Sequence, residues 1–387
     1  MIIEIMLYIS LGWLFITSIV LLRNYVAFSK LIDMTNTSSN QPLVSICIPA
    51  RNEEAVIQRC VESILKQTYK NYELSVLNDQ SEDKTGDILN SIASIHSNMS
   101  VLSGAPKPPD WLGKPWACHQ LSEKAKGDIL VFIDADTWWD PHALTHIVQA
   151  FDQHKLDALT VWPQQHCGGF WEHTVIPMIY HALNALLPGE LVHKEPSWIP
   201  SSLQNNWRTS FAAACGQCLA FTRTCYDSIA GHESVKNEVV EDVQLAKHIR
   251  QSNYVLRMYN GVGSIHCRMY TSEREIWNGL RKNFLAGFNN NLVFFFLAAT
   301  LHTVVYIIPI AALIIGLMLN SNLLLILSTL SISLTLIQRL VLRNMFKFDI
   351  RFIPTHFIAV LWFQFLGIRC IIDRLFNLQA SWKGRSV

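Results

Sequence analysis

Apolar residues collect at the two ends of this chain, and that distribution constrains its fold more than any motif. Half of the 387 residues are hydrophobic and mean hydropathy is +0.22, too apolar for an ordinary cytosolic enzyme, yet the middle is full of polar loops. Ile5 to Leu22 is nearly uncharged and is followed by Arg23 and Lys30. It has neither the basic leader nor the small-residue cleavage site of a secretory signal, so it reads as a retained transmembrane helix. The positive charges after it place the central part of the chain in the cytoplasm. Near the other end, Leu292–Leu319 is long enough to span with tilt or a kink at Pro309. Leu323–Gln338 reads as a shorter span after the polar turn Asn320-Ser321-Asn322. Arg339, Arg343, Lys347 and Arg351 then read as a basic cytoplasmic loop. Ile353–Ile372 leaves two arrangements open. It is long enough to span, but Pro354, His356, Gln364 and Arg369 interrupt it, and a re-entrant or interfacial segment keeps the basic tail inside. The second arrangement is the preferred one.

These ends divide the chain into an anchor at 1–33, a linker at 34–42, a cytoplasmic domain at 43–290 and a membrane region at 291–387. Inside the domain, strands and helices alternate. Strands are expected at Leu43–Ile48, Tyr72–Leu77, Val101–Leu102, Ile129–Ile133 and Ala158–Trp162. Helices are expected at Glu54–Lys66, about Lys84 to Ile95, Trp116–Lys126 and Pro141–Phe151. This order predicts an α/β domain: a mostly parallel sheet with helices on both faces, carried by α-helical transmembrane segments. Gly168–Leu191 is aromatic and apolar but interrupted by His173, Pro177 and His181; an amphipathic helix at the membrane face and an ordinary core helix both fit. Lys194–Asn206, with Pro196, Trp198 and Pro200, reads as a loop. Val239–Arg250 and Glu273–Phe288 read as helices.

The chemistry gathers where strands should end. Gly127–Ile133 runs into Asp134-Ala135-Asp136, two carboxylates at the carboxyl edge of a sheet, where open α/β folds bind ligands. Such oxygens suit Mg²⁺ or Mn²⁺ gripping substrate phosphates. Pro49 and Ala50 lead the first strand into a turn whose backbone, with Glu53, can bond a base or ribose. Asp79 ends the second strand, where nucleotide folds contact ribose or base. Ser81 and Asp83 read as helix caps. Lys114, before a helix, is placed to meet phosphate or to be solvated. Glu241-Asp242 opens a helix, where acids are favoured by the dipole alone; beside the paired aspartates, one becomes a candidate general base. Arg268, Trp277, Arg281 and Lys282 either clamp a pyrophosphate or anchor a helix at the interface.

A net charge of +1 gives no electrostatic support for a nucleic-acid partner. Nine cysteines without framework spacing fit a reducing compartment. Cys215-Gly-Gln-Cys218 lacks a second pair and reads as two small buried residues. His142 and His146, one turn apart, read as a solvated helix face.

The ordered set Val44-Ser-Ile-Cys-Ile-Pro-Ala-Arg-Asn-Glu-Glu54, Asn78-Asp79-x-Ser81-x-Asp83, Gly113-Lys114-x-x-Ala117, Asp134-Ala-Asp136 and Glu241-Asp242 resembles the family 2 glycosyltransferases, inverting enzymes with the nucleotide-sugar-binding type A fold. It covers about residues 43–285. Ser103-Gly-Ala-Pro, Arg268-Met-Tyr270 and Trp382-Lys-Gly-Arg385 look most like membrane-bound lipid glycosyltransferases of the hopene-associated and 4,4′-diaponeurosporenoate types. The resemblance implies that Glu53 and Asp79 hold uridine, Asp134 sits by ribose and metal, Asp136 coordinates Mn²⁺ or Mg²⁺, and Asp242 is the catalytic base. It implies transfer of a hexose, by family default glucose, from a UDP-sugar to a lipid acceptor at the cell membrane. The Gln-x-x-Arg-Trp motif of processive polysaccharide synthases is absent, and Arg268–Trp277 occupies its region, which favours single transfer. The alternatives are a processive synthase and a catalytically silent nucleotide-sugar-binding membrane protein.

Overall fold

The computed structural model describes the chain except residues 36–40, 196–198, 289, 377, 379, 380, 383, 384 and 387. Most of the linker expected at 34–42, Pro196 and Trp198 of the expected loop, and the middle of the carboxyl-terminal Trp-Lys-Gly-Arg motif therefore lie outside the described residues. The chain separates into two compact units. One holds Phe28–His166 and Gly189–Met269, and the other holds Met1–Ala27, Cys167–Pro188 and Tyr270–Val387. The expected 43–290 domain is cut differently. Cys167–Pro188 and the residues after Met269 pack with the apolar helices rather than with the sheet.

The first unit is built on a seven-stranded sheet. Its strands are β1 (Val44–Ala50), β2 (Tyr72–Asn78), β3 (Met99–Ser103), β4 (Ile129–Ile133), β6 (Ala158–Trp162), β8 (Cys218–Thr222) and β9 (Leu256–Asn260), in the order β3-β2-β1-β4-β8-β6-β9. Pairing is parallel except where β8 runs against β4 and β6. A small second sheet joins β5 (Thr137–Trp139), β10 (Ile265–Cys267) and β7 (Gln164–Gln165).

Both faces of the large sheet are covered, as the apolar strand runs require. Val44, Ile46 and Ile48 of β1, with Ile129, Val131 and Ile133 of β4, pack against Ile57, Val61 and Ile64 and against Leu144 and Ile147 on two helices. On the opposite face Phe132 stacks on Tyr226 at 5.4 Å, and its ring edge meets His232 at 4.6 Å. The five expected strands are all present, within two residues at each end. β8, β9 and the small sheet are additions; the strands of the small sheet, three or two residues long, carry no readable alternation.

The second unit contains four helices long and apolar enough to cross a membrane: Ile2–Ala27, Leu292–Leu319, Asn322–Phe346 and His356–Leu375. Two expectations change. The span expected to end at Gln338 continues as helix to Phe346, so Arg339 and Arg343 lie on helix rather than in a loop. Ser331, Thr335, Gln338 and Arg339 lie on its buried face, so packing holds the helix beyond the point where hydropathy fades. The 353–372 region forms the continuous helix His356–Leu375, which leaves no turn for a re-entrant path, while a spanning and an interfacial helix both fit. Phe170–Leu186 is a helix buried on most sides, including Glu172, Thr174, His181 and Asn184, and so takes the core-helix alternative. Asn24 binds it by donating to the carbonyls of Asn184 and Leu187 at 2.8 and 2.7 Å.

Candidate active site

Parallel strands end together at one edge of a sheet, so turns far apart in sequence meet there. The turns after β1 and β2 are stitched to each other. The Asp79 N–H donates to the Ala50 carbonyl at 2.8 Å, and Arg51 Nη1 donates to the Asp79 and Gln80 carbonyls, each at 2.8 Å. Asn52 adopts a left-handed φ of +53° and donates its N–H to Ser81 Oγ at 3.0 Å. The Glu53 N–H donates to Thr85 Oγ1 at 2.8 Å. Asp83 accepts from the N–H groups of Glu54 and Thr85, so it joins the two turns as well as capping its own. Asp79 and Ala50 are buried in this knot, and Glu53 is half-buried. Asp79 and Glu53 were marked by their positions in the sequence, whereas nothing there signalled that Arg51 would tie their loops.

A second cluster forms where β4 ends. Asp134 follows the strand and is half-buried. The first turn of the Gly113–Lys124 helix presents Lys114, whose Nζ lies 2.7 Å from Asp134 Oδ1 and 3.0 Å from Glu241 Oε1. Lys114 is thus an ammonium held between two carboxylates, where the sequence allowed a phosphate contact or plain solvation. Burial alone lowers its proton affinity. The charges of Asp134 and Glu241 outweigh that and hold Lys114 well above the ordinary lysine range. Pro49, Cys118, Ile133, Gly216 and Asp242 line the same pocket.

Asp242 sits in the first turn of the Glu241–Gln251 helix. Its Oδ2 accepts the Gly216 N–H at 2.8 Å and its Oδ1 accepts the Val243 N–H at 2.9 Å. Burial, then the Glu241 charge, push its carboxyl up to about 6, against the opposing pull of Lys114 and the two N–H donors. His232, against the same pocket, is pushed down to about 3 by burial and then by Lys114 and His119, so it stays neutral. His232, Gly216 and the two thiols beside Asp136, Cys60 and Cys267, were not legible as site residues.

Gly216 has a steric reason to be glycine. A Cβ there would lie 3.0 Å from Lys114 Nζ and 3.3 Å from Asp242 Oδ2. Gly216→Ala should therefore shift the lysine or the carboxylate by a few tenths of an ångström. The expected result is a fall in kcat/KM of about tenfold with little change in melting temperature, since small misplacements at reacting centres are costly.

Asp136 stands two residues beyond Asp134, beside the small sheet. The Arg268 N–H donates to its carbonyl at 3.4 Å, which puts Arg268 at the edge of the site. Two buried thiols flank it. Burial, then the Asp136 and Asp134 charges, raise Cys267 well above the ordinary thiol range, and burial followed by Asp136 does the same to Cys60. Cys267 also accepts from Gln217 Nε2 at 3.1 Å. Trp277 and Lys282 fall in the other unit, on the Glu273–Asn283 helix, where Trp277 meets Trp362 edge-on at 5.2 Å. Cys215 and Cys218 are buried free thiols, as expected, and both hold Thr160 Oγ1 through their backbone. His142 and His146 bind Thr68 and Ser264 respectively.

Among the described residues no three His, Cys, Asp or Glu side chains converge as a metal cage. The paired carboxylates do fit a hard divalent cation that completes its shell with substrate phosphates and water, because Mg²⁺ and its kin need only one or two protein carboxylates.

The family model described as Glycosyl transferase family 2 matches residues 45–227. That span includes the first two turns, Lys114 and the Asp-Ala-Asp pair, and stops short of Glu241-Asp242. The chain is 24% identical over 255 residues to the 4,4'-diaponeurosporenoate glycosyltransferase of Staphylococcus haemolyticus, covering 64% of this chain and 61% of that protein. It is 34% identical over 122 residues to the beta-monoglucosyldiacylglycerol synthase of Trichormus variabilis, covering 31% of this chain and 26% of that one. The chain thus spans less than two thirds of the length of these curated relatives. Among solved structures, the mannosyltransferase PcManGT from Pyrobaculum calidifontis, in complex with GDP-Man and Mn²⁺, superposes with a TM-score of 0.59 at 16% identity, over 97% of this chain and 100% of that one. At that identity the likeness establishes the fold.

Proposed function

The chain carries a glycosyl transferase family 2 domain, and from that premise we propose that it moves one hexose from a UDP-sugar to a hydroxyl of a membrane lipid, with inversion. The observation that carries the proposal is the convergence of Asp134, Lys114, Glu241 and Asp242 on one pocket at the sheet edge. Type A folds bind a nucleotide-sugar at this edge, and the two relatives described above are named for lipids. The turns holding Glu53 and Asp79 would receive the uridine, with Pro49 and Ala50 as their floor. Asp134 and Asp136 would hold a divalent cation, Mn²⁺ or Mg²⁺, which when bound supplies positive charge against the departing diphosphate.

The chain's own residues account for the rest. Lys114 adds a fixed ammonium near where negative charge develops on the UDP oxygen. Asp242 takes the proton of the acceptor hydroxyl as its oxygen attacks the anomeric carbon. The bond from that carbon to the UDP oxygen breaks, and UDP leaves with the electron pair. A carboxyl with a proton affinity near 6 is mostly ionised at neutral pH yet basic enough to accept the proton. Arg268, at the edge, would steady the diphosphate.

The four apolar helices support a multi-pass protein of the cell membrane. Arg23 and Lys30 after the first helix favour a cytoplasmic position for the sheet unit.

The test supplies radiolabelled UDP-hexose and total membrane lipid to the purified full chain. The expected product is a lipid bearing one sugar; long polymer would replace this reading with a processive synthase. Asp136→Ala should raise the Mn²⁺ concentration for half-activation at least about tenfold. Unchanged turnover and metal response in that variant would remove Asp136 from the metal site.

A further inference from the structure

Membrane-spanning helices rarely bury a charged group, because an unpaired charge in an apolar interior is costly. Arg339 is such a group. It lies on the buried face of the Asn322–Phe346 helix and is 4% exposed. Its neighbour Gln338 is fully engaged. Gln338 Oε1 accepts from His181 Nε2 at 2.9 Å, and the two N–H groups of Gln338 Nε2 are shared among Leu14 O, Thr17 Oγ1 and Ser18 Oγ at 2.9–3.0 Å. Arg339 Nη1 is buried with no hydrogen-bond partner, and no carboxylate pairs with the guanidinium among the described residues.

His356 shares this condition. It is 0% exposed, and neither ring nitrogen has a partner. His181 meets it edge-on at 5.2 Å and Tyr306 at 4.6 Å, while His302 lies 5.8 Å from Tyr306. Arg339 directly follows Gln338, which holds the His181 ring that packs on His356. The cluster therefore holds one guanidinium and one imidazole ring with unpartnered nitrogens, and no carboxylate pairs with them among the described residues. It also sits at a break in helix regularity. Thr303–Ile307 is a π-helical turn containing Tyr306, and Ser10 Oγ donates to the Val305 carbonyl there at 2.8 Å. Such turns are frequent at functional sites.

We propose that this cluster is a binding site for the anionic head of an amphipathic lipid, a carboxylate or a phosphate on a long apolar chain. Guanidinium and imidazole N–H groups are the donors that carboxylates and phosphates take. The lipid nature follows from the place: the helices that enclose the cluster carry exposed Phe15, Phe296, Leu317 and Phe365, so an anion reaches it with an apolar tail in the bilayer. The inference rests on reading these helices as membrane spans and is independent of the transfer chemistry.

The full chain, purified in an uncharged detergent, is titrated with oleic acid, dioleoyl phosphatidic acid, dioleoylglycerol and dioleoyl phosphatidylcholine. Binding is read by native mass spectrometry and thermal unfolding. One anionic lipid per chain is expected, held about ten- to a hundredfold more tightly than the neutral or zwitterionic lipids, the range of a charged hydrogen bond. Whether oleate or phosphatidate binds more tightly separates carboxylate from phosphate. Arg339→Met should erase the preference. Without lipid it should melt no lower than the parent, because it removes an unpaired buried charge. Equal binding of neutral and anionic lipids by the parent overturns the proposal, whether or not the variant folds. So does a preserved preference in Arg339→Met, or a marked fall in its lipid-free melting temperature. His356→Phe, which keeps ring volume, should weaken the anionic preference without erasing it; an unchanged preference there removes His356 from the site.

Discussion

Asp242→Asn is expected to lower kcat by about 10²–10⁴-fold on a hydroxyl acceptor, the usual loss when a positioned base is removed. The amide keeps the shape but cannot take the proton. The parent enzyme should lose activity as pH falls through about 6, where Asp242 is protonated, and stay flat above it. Stability moves the other way. The folded-state value of about 6 lies above the ordinary 3.8, so between those values the native chain binds more protons than the unfolded one. Stability therefore declines as pH rises through that window, and Asp242→Asn should remove the decline. Melting curves at pH 4 and pH 7.5 check it: the variant should gain relative to the parent only at the higher pH. The acceptor decides the kinetic outcome. A carboxylic-acid acceptor is already ionised at neutral pH, with an ordinary value near ~4, and needs no base. A near-parental rate for Asp242→Asn on the physiological lipid would point to such an acid and withdraw the hydroxyl assignment.

Lys114→Met should be nearly as severe, with kcat/KM down by about 10²–10³-fold, as for loss of a group that stabilises developing charge. Two effects combine. The ammonium facing the leaving diphosphate is gone, and Asp134 and Glu241 lose the cation between them. Lys114 also lowers the proton affinity of Asp242, so the acid limb of the pH–rate profile should move above its parental position near 6. A variant that binds UDP more weakly but keeps its acid limb would show that Lys114 serves the donor and not the base. An unchanged profile with unchanged UDP affinity would reduce it to a surface ion pair, of the kind that contributes little.

Much of this protein was legible in its order of residues. Ile129–Ile133 could only be a buried strand, and a strand that runs into Asp-Ala-Asp must deliver carboxylates to a sheet edge. The apolar runs at both ends announced their helices by length alone. In each case the determining physics is local, since periodicity, hydropathy and strand polarity need no distant partner. The extent of the third apolar helix was different. Hydropathy faded at Gln338, and only packing against Leu14, Thr17, Ser18 and His181 carries the helix to Phe346. Lys114 was ambiguous for the same reason. A lysine in a first helical turn is solvated or engaged according to what the fold brings opposite, and Glu241, 127 positions later, makes it a half-buried counter-ion. The raised proton affinity of Asp242 is likewise a property of its surroundings: burial and the Glu241 charge raise it, and Lys114 and the Gly216 N–H restrain it. Sequence alone determined which elements form and that carboxylates would stand at a sheet edge. Only the tertiary structure decided which charges meet and which are left buried, as Arg339 is, because electrostatic energy depends on distance and dielectric, and neither exists until the chain has folded.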